Sequence, residues 1–145
     1  MPLLKNTHFP PLPIEIVDKT ELDHSLFIKR KDGIIEIRCA EDFTYEKEHL
    51  IENHTVLKSL FKNEKLRVLS FPGKFTSASY EARHYVARGP HKDFILCEAF
   101  LIHSLAQKMI GNFFMKVNKP IVPANYYSYN DKAIAEKWLL NFRNF

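Results

Sequence analysis

Hydrophobic and polar residues alternate on both sides of a short polar turn early in the chain. The segment Ser25–Cys39 reads SLFIKRKDGIIEIRC. The Asp32-Gly33 pair at its middle favours the positive φ angles that a tight hairpin turn requires. We therefore predict a β-hairpin. The residues expected to share its buried face are Leu26, Ile28, Ile35 and Ile37.

Helical periodicity follows the hairpin twice, over residues 44–62 and again over residues 78–88. Thr44 and Ser77 are the expected N-caps, because their hydroxyl groups can accept a hydrogen bond from a free backbone N–H of the first turn. The second helix is expected to end at Gly89-Pro90, since proline cannot continue it. Predicted buried residues are Leu50, Val56 or Leu57, Leu60 and Phe61 in the first helix, with His54 at the rim of the core, and Ala78, Ala82, Tyr85 and Val86 in the second.

Three short apolar runs are typical of strands. Leu66–Phe71 is ended by Pro72-Gly73. Phe94–Leu101 (FILCEAFL) is apolar almost throughout, which indicates a strand covered by helices on both faces and central in its sheet. Ile121–Tyr127 contains Pro123, which cannot donate a hydrogen bond to a neighbouring strand. We therefore expect an edge position or a strand start at that proline.

Two further helices are predicted in the second half of the chain. Ser104 begins the first, which ends at Asn118 and carries apolar residues (LAQKMIGNFFMKV) around more of its circumference than one buried face needs. Ser128 and Asp131, three residues apart, form a capping-box pattern at the start of the final helix. That helix is expected to bury Ile134, Ala135, Trp138, Leu139 and Phe142.

The order of these elements predicts a single α/β domain. It reads β, β, α, β, α, β, α, β, α, and right-handed crossovers would place the helices against a largely parallel sheet. We expect a mixed central sheet of about five strands, an N-terminal β-hairpin and about four helices. Residues 25–145 would form this domain, and residues 1–24 an extended arm, because residues 1–13 hold four of the eight prolines.

Composition excludes some classes of protein. No apolar run is long enough to span a bilayer, and residues 1–13 contain no continuous apolar core of the kind found in signal peptides. A cytoplasmic location is therefore expected. Cys39 and Cys97 each lie in an apolar segment, so we interpret them as small buried residues rather than as a disulfide.

The net charge of +4 comes from the second half of the chain. From Gly73 onward there are 10 Lys and Arg residues against 5 Asp and Glu, whereas the first 72 residues hold 11 against 12. Such a surplus can favour an anionic ligand, an acidic partner or weak nucleic-acid contact, and the alternative is an ordinary solvated surface. Nucleic-acid binding is not expected, because no compact group of Lys and Arg residues is interleaved with aromatic ones.

Several segments carry a resemblance to a known family. The element order, together with EARHYVA, MIGNFFMKVNKPIVPANYY and AIAEKWL, resembles an uncharacterised bacterial family of small STAS-like (SpoIIAA-like) domains, related in fold to anti-sigma-factor antagonists. The resemblance covers residues 25–142 and implies an α/β, STAS-like fold. In those antagonists a Ser or Thr at the start of the second helix is phosphorylated, a region that Ser77 and Ser79 occupy here.

The same two serines also have an ordinary interpretation. A helix N-terminus stabilises the charge of a phosphate, so a switch or anion site at Ser77 or Ser79 is chemically sensible. However, Leu69 or Ser70 stands where the antagonists have an acidic residue, and Ala78 stands where their motif has Asp before the phosphorylated position. The alternative is that Ser77 caps the helix and Ser79 is an exposed residue of its first turn.

Motifs of catalysis and cofactor binding are absent from the sequence. The closest histidine spacings, His49/His54 and His84/His91, do not put two imidazoles on one helical face beside an acid, so no metal is expected. No glycine-rich phosphate loop and no nucleophile elbow occur, and no cofactor is expected. The only pair suited to acid-base chemistry is Glu81 with His84, one helical turn apart.

Three functions remain as hypotheses. The leading one is a non-catalytic, regulatory or protein-interaction module, expected to be a homodimer whose contact surface is the 104–118 helix and the basic second half of the chain. The alternative is that a neighbouring helix or the N-terminal arm covers the apolar residues of that helix. Its candidate interface residues are Met109, Phe113, Phe114 and Met115.

The second hypothesis is binding of a small amphiphilic or anionic, lipid-like ligand in an apolar pocket between the sheet and a helix. The third is an enzyme that uses Glu81, His84 and Ser79, which we consider the weakest of the three. For the second hypothesis the candidate anion contacts are Arg83, Arg88, Lys92 and Lys108.

Overall fold

The structure is a computed structural model and describes residues 15–89, 93–103 and 122–143. Within these residues the chain forms eight strands and three α-helices. In chain order the strands are β1 (Ile16–Glu21), β2 (Ser25–Arg30), β3 (Ile34–Cys39), β4 (Thr44–Tyr45), β5 (Leu66–Phe71), β6 (Ser77–Ala78), β7 (Ile95–Ile102) and β8 (Ala124–Ser128). The helices are α1 (Lys47–Leu60), α2 (Tyr80–Arg88) and α3 (Lys132–Asn141).

Six of the strands form one mixed sheet in the order β1-β2-β3-β5-β7-β8. The first three pair antiparallel, and β3, β5, β7 and β8 pair parallel. The predicted α/β class with a mixed sheet is thus confirmed, with six strands where about five were expected. The additional strand is β1, which lies within the segment 1–24 that we interpreted as an arm; residues 1–14 lie outside the described residues.

The predicted hairpin is confirmed, but the predicted buried face is wrong. Gly33 has a φ of +97°, the left-handed conformation that the Asp-Gly turn required. In the register of β2 and β3, Phe27 stands opposite Ile37, whereas Leu26 and Ile28 stand opposite Arg38 and Glu36. Because directly paired residues share a face, Leu26 and Ile28 lie on the opposite face from Ile37. The hairpin could not be assigned one buried face because both of its faces are buried.

Helices cover both faces of the sheet and divide the core into two layers. On one face, α3 packs Ala135 and Leu139 against Leu69 of β5 and Ala99 of β7. On the other face, α1 packs Leu57 among the residues of β2, β3, β5 and β7. Each fully buried aliphatic side chain contributes roughly 1.5–3 kcal/mol to folding. The strands between the helices are therefore the most strongly stabilised part of the domain.

The final helix begins later than predicted, and it packs four of its five predicted residues, Ala135, Trp138, Leu139 and Phe142, against the core. Ser128 accepts a hydrogen bond from Asn130 N and caps a single 3₁₀ turn, and α3 begins only at Lys132. Ala135 and Leu139, four residues apart, are buried, but Ile134 is 58% exposed, so its predicted burial is wrong. Arg67 of β5 fixes the other end of α3 by donating to carbonyl oxygens of its last turn and of the residue that follows the helix.

Both predicted N-caps of the first two helices are wrong for one shared reason. Thr44 and Ser77 belong to β4 and β6, which pair in a separate two-stranded parallel sheet, and their hydroxyl groups lie 2.9 Å apart. Helix α1 is capped instead by Glu46, in a reciprocal capping box with His49. Ser79 caps α2 by accepting a hydrogen bond from Ala82 N. Ala78, now in a strand, is only half-buried.

The strands of the second half agree largely with the prediction. Strand β7 is paired on both sides, as expected of a central strand, although its burial alternates along part of its length. Strand β8 begins directly after Pro123 and lies at an edge of the sheet in the described part of the chain. The predicted helix 104–118 lies outside the described residues. None of the described helices is long and apolar enough to cross a membrane.

Candidate functional site

The carboxyl ends of the parallel strands meet at one edge of the sheet, where α/β folds usually place their ligands. Polar residues of this edge are packed tightly against aromatic rings. The guanidinium of Arg38 lies 4.9 Å from the ring centroid of Phe71, and His103 stacks on Tyr129 with ring centroids 4.2 Å apart. Burial raises the pKa of the Tyr129 hydroxyl.

Arg38 is unsuited to binding a ligand because it is already paired and buried. Its Nε and Nη2 atoms donate to Glu36 Oε1 at 3.1 and 2.9 Å, and both side chains are almost completely buried. A buried charge of this kind needs its partner and is not accessible to solvent. We therefore interpret this cluster as part of the core rather than as a site.

A second polar cluster resembles a catalytic arrangement without being accessible. His24 Nε2 lies 3.6 Å from Glu52 Oε1, and His24 Nδ1 lies 2.9 Å from Ser25 Oγ, which is 2.9 Å from the hydroxyl of Tyr45. Burial lowers the pKa of His24, partly offset by Glu52. Ser25 is 0% exposed, so no substrate can reach its hydroxyl. This cluster could not be predicted from the sequence, because His24 lies just before β2 and the other members come from β2, β4 and α1.

Two loops at the carboxyl edge are joined by hydrogen bonds. Asp42 N donates to Lys74 O at 2.9 Å, and Thr76 Oγ1 donates to Ala40 O at 2.6 Å. Each loop contains one residue other than glycine in the left-handed region, Asp42 with φ of +49° and Phe75 with φ of +56°. Such conformations are uncommon for side-chain-bearing residues and concentrate at functional sites.

A cleft of about 450 Å³ lies along one side of α2. Its volume is within the range of small-molecule and peptide sites. The start of α1 contributes a lysine, and α2 contributes aromatic and charged side chains together with the glycine that follows it. The lining residues are Lys47, Tyr80, Glu81, His84, Tyr85, Arg88 and Gly89.

The arrangement follows from helical geometry and from the small β4–β6 sheet. Tyr80, His84 and Arg88 are spaced four residues apart and therefore lie on one side of α2. The rings of Tyr80 and His84 stack with centroids 6.1 Å apart. Strand β4 leads into Lys47 and strand β6 leads, through Ser79, into Tyr80, so the pairing of these strands brings the two helix starts together.

Two cations, Lys47 and Arg88, and one carboxylate, Glu81, line this cleft. Lys47 and Arg88 are both exposed, and in the described part of the chain neither one makes an ion pair. Behind the cleft, the Tyr85 hydroxyl lies 2.6 Å from Nδ1 of His54, which is buried against the ring of Phe94. The prediction that His54 belongs to the rim of the core is confirmed. Its burial lowers its pKa.

The structure brings together some of the predicted site residues and separates others. Arg88, Glu81 and His84 line the cleft, whereas Arg83 is half-buried and does not. Ser77 is exposed and bonded to Thr44, and Ser79 is the N-cap of α2. The predicted residues outside the described part of the chain are Lys92, Lys108, Met109, Phe113, Phe114 and Met115.

The cleft also contains residues that the sequence analysis did not select. Lys47, Tyr80 and Tyr85 were not considered as site residues, although the spacing of Tyr80 with His84 was visible as a helical repeat. Lys47 had no such signal, because only the meeting of α1 and α2 places it there.

Chemically, the cleft is suited to binding rather than to catalysis. Glu81 and His84 are exposed to solvent, and the hydroxyl of Ser79 is occupied as the helix cap, so the three do not form a nucleophile with its base. Over residues 15–89, 93–103 and 122–143, no group of three His, Cys, Asp or Glu side chains is placed to hold a metal ion. Cations beside aromatic rings are suited to carboxylate or phosphate groups.

Comparisons with known proteins place the chain in one family. A family model described as a domain of unknown function matches residues 27–143, which is most of the chain. No curated protein and no solved structure matches it. The match covers α1, α2 and the cleft between them, so the candidate site lies within the family domain.

Proposed function

The chain belongs to the DUF7793 family, a domain of unknown function, and we propose that it is a non-catalytic protein-interaction module. Its cleft between α1 and α2 binds an acidic segment of a protein partner. The observation that carries this proposal is the meeting of two cations with the rings of Tyr80, His84 and Tyr85 in one open cleft. The cations are Lys47 and Arg88, which make no ion pair with any residue that the structure describes.

Charge and ring chemistry together favour an acidic peptide. Two exposed cations from different helices complement carboxylate groups and would steer an acidic partner toward the cleft. Tyrosine rings supply contact area at a low cost in side-chain entropy. None of the described residues that line the cleft is aliphatic, so a lipid-like chain would bury little apolar surface against them.

A STAS-like fold and a homodimer are part of the same proposal. The mixed sheet, with helices on both of its faces, supports the STAS-like assignment and the regulatory role that it implies. The homodimer rests on the apolar pattern of residues 104–118 and is tested separately, by size measurement at micromolar concentration, where a strict monomer would count against it.

Site-specific photo-crosslinking tests the acidic partner. With p-benzoylphenylalanine in place of Tyr80, we expect the full chain, expressed in its own cells, to form one discrete adduct with another protein. Position 134 on α3 is the matched control, because Ile134 is 58% exposed and lies away from the cleft. The adduct should be absent from that position.

Charge reversal separates a specific contact from chance encounters. The combined Lys47→Glu and Arg88→Glu variant should lower the yield of the adduct at least about tenfold, because like charges then face the acidic segment. Raising the salt concentration should lower it as well. An adduct of unchanged yield in this variant, or equal adducts from positions 80 and 134, would show that the cleft does not bind an acidic partner. Native mass spectrometry with a small co-purifying mass would favour the ligand hypothesis instead.

A further inference from the structure

Phe75 is a large aromatic residue whose side chain is exposed and whose backbone has an unfavourable conformation. Its side chain is 75% exposed, more than any other large hydrophobic residue that the structure describes. Single exposed apolar residues are common and need no explanation by themselves. Phe75 differs from such residues in its backbone, because its φ is +56°, a conformation that bulky residues rarely adopt.

The loop that carries Phe75 is held in place on both sides. Lys74 O accepts a hydrogen bond from Asp42 N, and Thr76 is bonded through its backbone to Gly73 O and through its hydroxyl to Ala40 O. Gly73 itself is enclosed, since a Cβ there would lie 3.0 Å from Cys39 O. The ring of Phe75 is therefore presented by an ordered backbone, which lowers the entropy lost when a partner binds.

Phe75 belongs to the same end of the molecule as the cleft. It lies two residues before β6, which leads into Tyr80 at the start of α2, and β6 pairs with β4, which leads into Lys47. Lys74 beside it is exposed and, in the segments that the structure describes, makes no ion pair. An exposed aromatic ring beside an exposed lysine is complementary to an apolar pocket with a carboxylate at its rim.

We propose that Phe75 is the apolar anchor of the interface and inserts into a pocket of the protein partner whose acidic segment occupies the cleft. This inference rests on the proposed function. The partner is a different protein with a pocket of apolar side chains surrounded by carboxylates. A second copy of this chain, or residues 1–14 of the same chain, are the other occupants that the experiment distinguishes.

Crosslinking from the anchor position identifies its occupant. With p-benzoylphenylalanine in place of Phe75, itself an aromatic residue, we expect the same partner protein to be captured as from position 80. Peptide mapping by mass spectrometry then locates the crosslink. A crosslink only to residues 1–14, a crosslink only to a second copy, or no crosslink at all would overturn the proposal.

The Phe75→Asn variant separates an anchor from a structural residue. Asparagine tolerates a positive φ, and an exposed ring contributes no core packing, so the Tm should be unchanged or higher. The yield of the position-80 adduct should fall at least tenfold, while the Ile134→Ala control leaves it unchanged. A lower Tm for Phe75→Asn, or an unchanged adduct, would contradict the anchor role.

The same measurements keep the two proposals apart. If Lys47→Glu with Arg88→Glu abolishes the adduct and Phe75→Asn does not, the cleft binds the partner and Phe75 is not its anchor. If neither variant changes the adduct, both proposals are wrong.

Discussion

Glu98 has the most strongly perturbed carboxyl group in the described part of the chain. Its side chain lies on β7, and Oε2 accepts a hydrogen bond from Ser70 Oγ at 2.6 Å. Burial raises the pKa of this carboxyl from 4.5 to about 7, and the serine bond only partly opposes the rise. Near neutral pH a large fraction of Glu98 is thus protonated in the folded protein.

The Glu98→Gln variant should lose the dependence of stability on pH that this carboxyl causes. Because the pKa is higher in the folded protein than in the unfolded chain, the folded protein loses stability as pH rises from 4.5 to about 7. The loss amounts to about 1–3 kcal/mol, and a neutral amide avoids it. Urea unfolding at pH 5 and pH 8 measures the effect. Glu64→Gln, at an exposed position, is the control, and equal pH slopes in the Glu98 variant and the wild type would contradict this account.

At the scale of elements, ion pairs join the hairpin to the last helix. Glu36 of β3 accepts from Arg38 through one oxygen and from Arg30 of β2, at 3.2 Å, through the other. Arg30 also bonds to Glu136 of α3 at 2.5 Å. Glu36 is 0% exposed, so its charge depends on partners within the protein, which here are these two arginines. The network therefore ties β2, β3 and α3 together on one face of the sheet.

Removing one member of this network should cost more than removing two. Glu36→Leu removes the carboxylate to which the buried guanidinium of Arg38 donates two hydrogen bonds, and it should lower the free energy of unfolding by about 3–5 kcal/mol. The double variant Glu36→Leu, Arg38→Met replaces the pair by apolar groups and should recover most of that loss. Denaturant unfolding of both variants measures their free energies of unfolding. A single variant as stable as the double one would mean that the pairing contributes little.

For the whole molecule, the sheet order predicts how stability is distributed. Strands β3 and β5 are paired on both sides and lie between helices, whereas β1 is an outer strand with Val17 exposed. Amides of β3 and β5 should exchange with solvent only when the whole domain unfolds, and those of β1 by local opening. Hydrogen exchange should thus be at least about ten times faster in β1. Equal protection of β1 and β5 would show that the sheet opens as one unit.

Some elements could be predicted from the sequence because they depend on local sequence patterns. The predicted bounds of β5 agree with the structure, and the hairpin and the end of α2 were correctly placed, since turn residues and apolar runs act over a few positions. The strands β4 and β6 were missed, because each is two residues long and exists only by pairing with the other. That pairing moved both helix starts, so the caps at Thr44 and Ser77 could not be predicted correctly.

The residues of the candidate site also differ in whether they could be predicted from the sequence. Glu81 and His84 were predicted from their spacing on one helix, and Arg88 from its charge as a candidate anion contact. The position of Lys47 and Tyr85 in the cleft depends on the contact between α1 and α2. The positive φ of Phe75 has no signal in the sequence.

By itself, the sequence determined the class of the fold, the hairpin turn and the excess of cations in the second half. The fold class depends on the periodicity of apolar residues, and the hairpin turn depends on the conformational freedom of Gly33; both act within a few residues. The excess of cations is a matter of composition, which is a sum over many residues. Only the tertiary structure decided which cations share a cleft and which polar residues are buried in pairs. Those outcomes depend on contacts between distant segments, where a one-residue change of register, as at Leu26 and Ile28, moves a side chain to the other face.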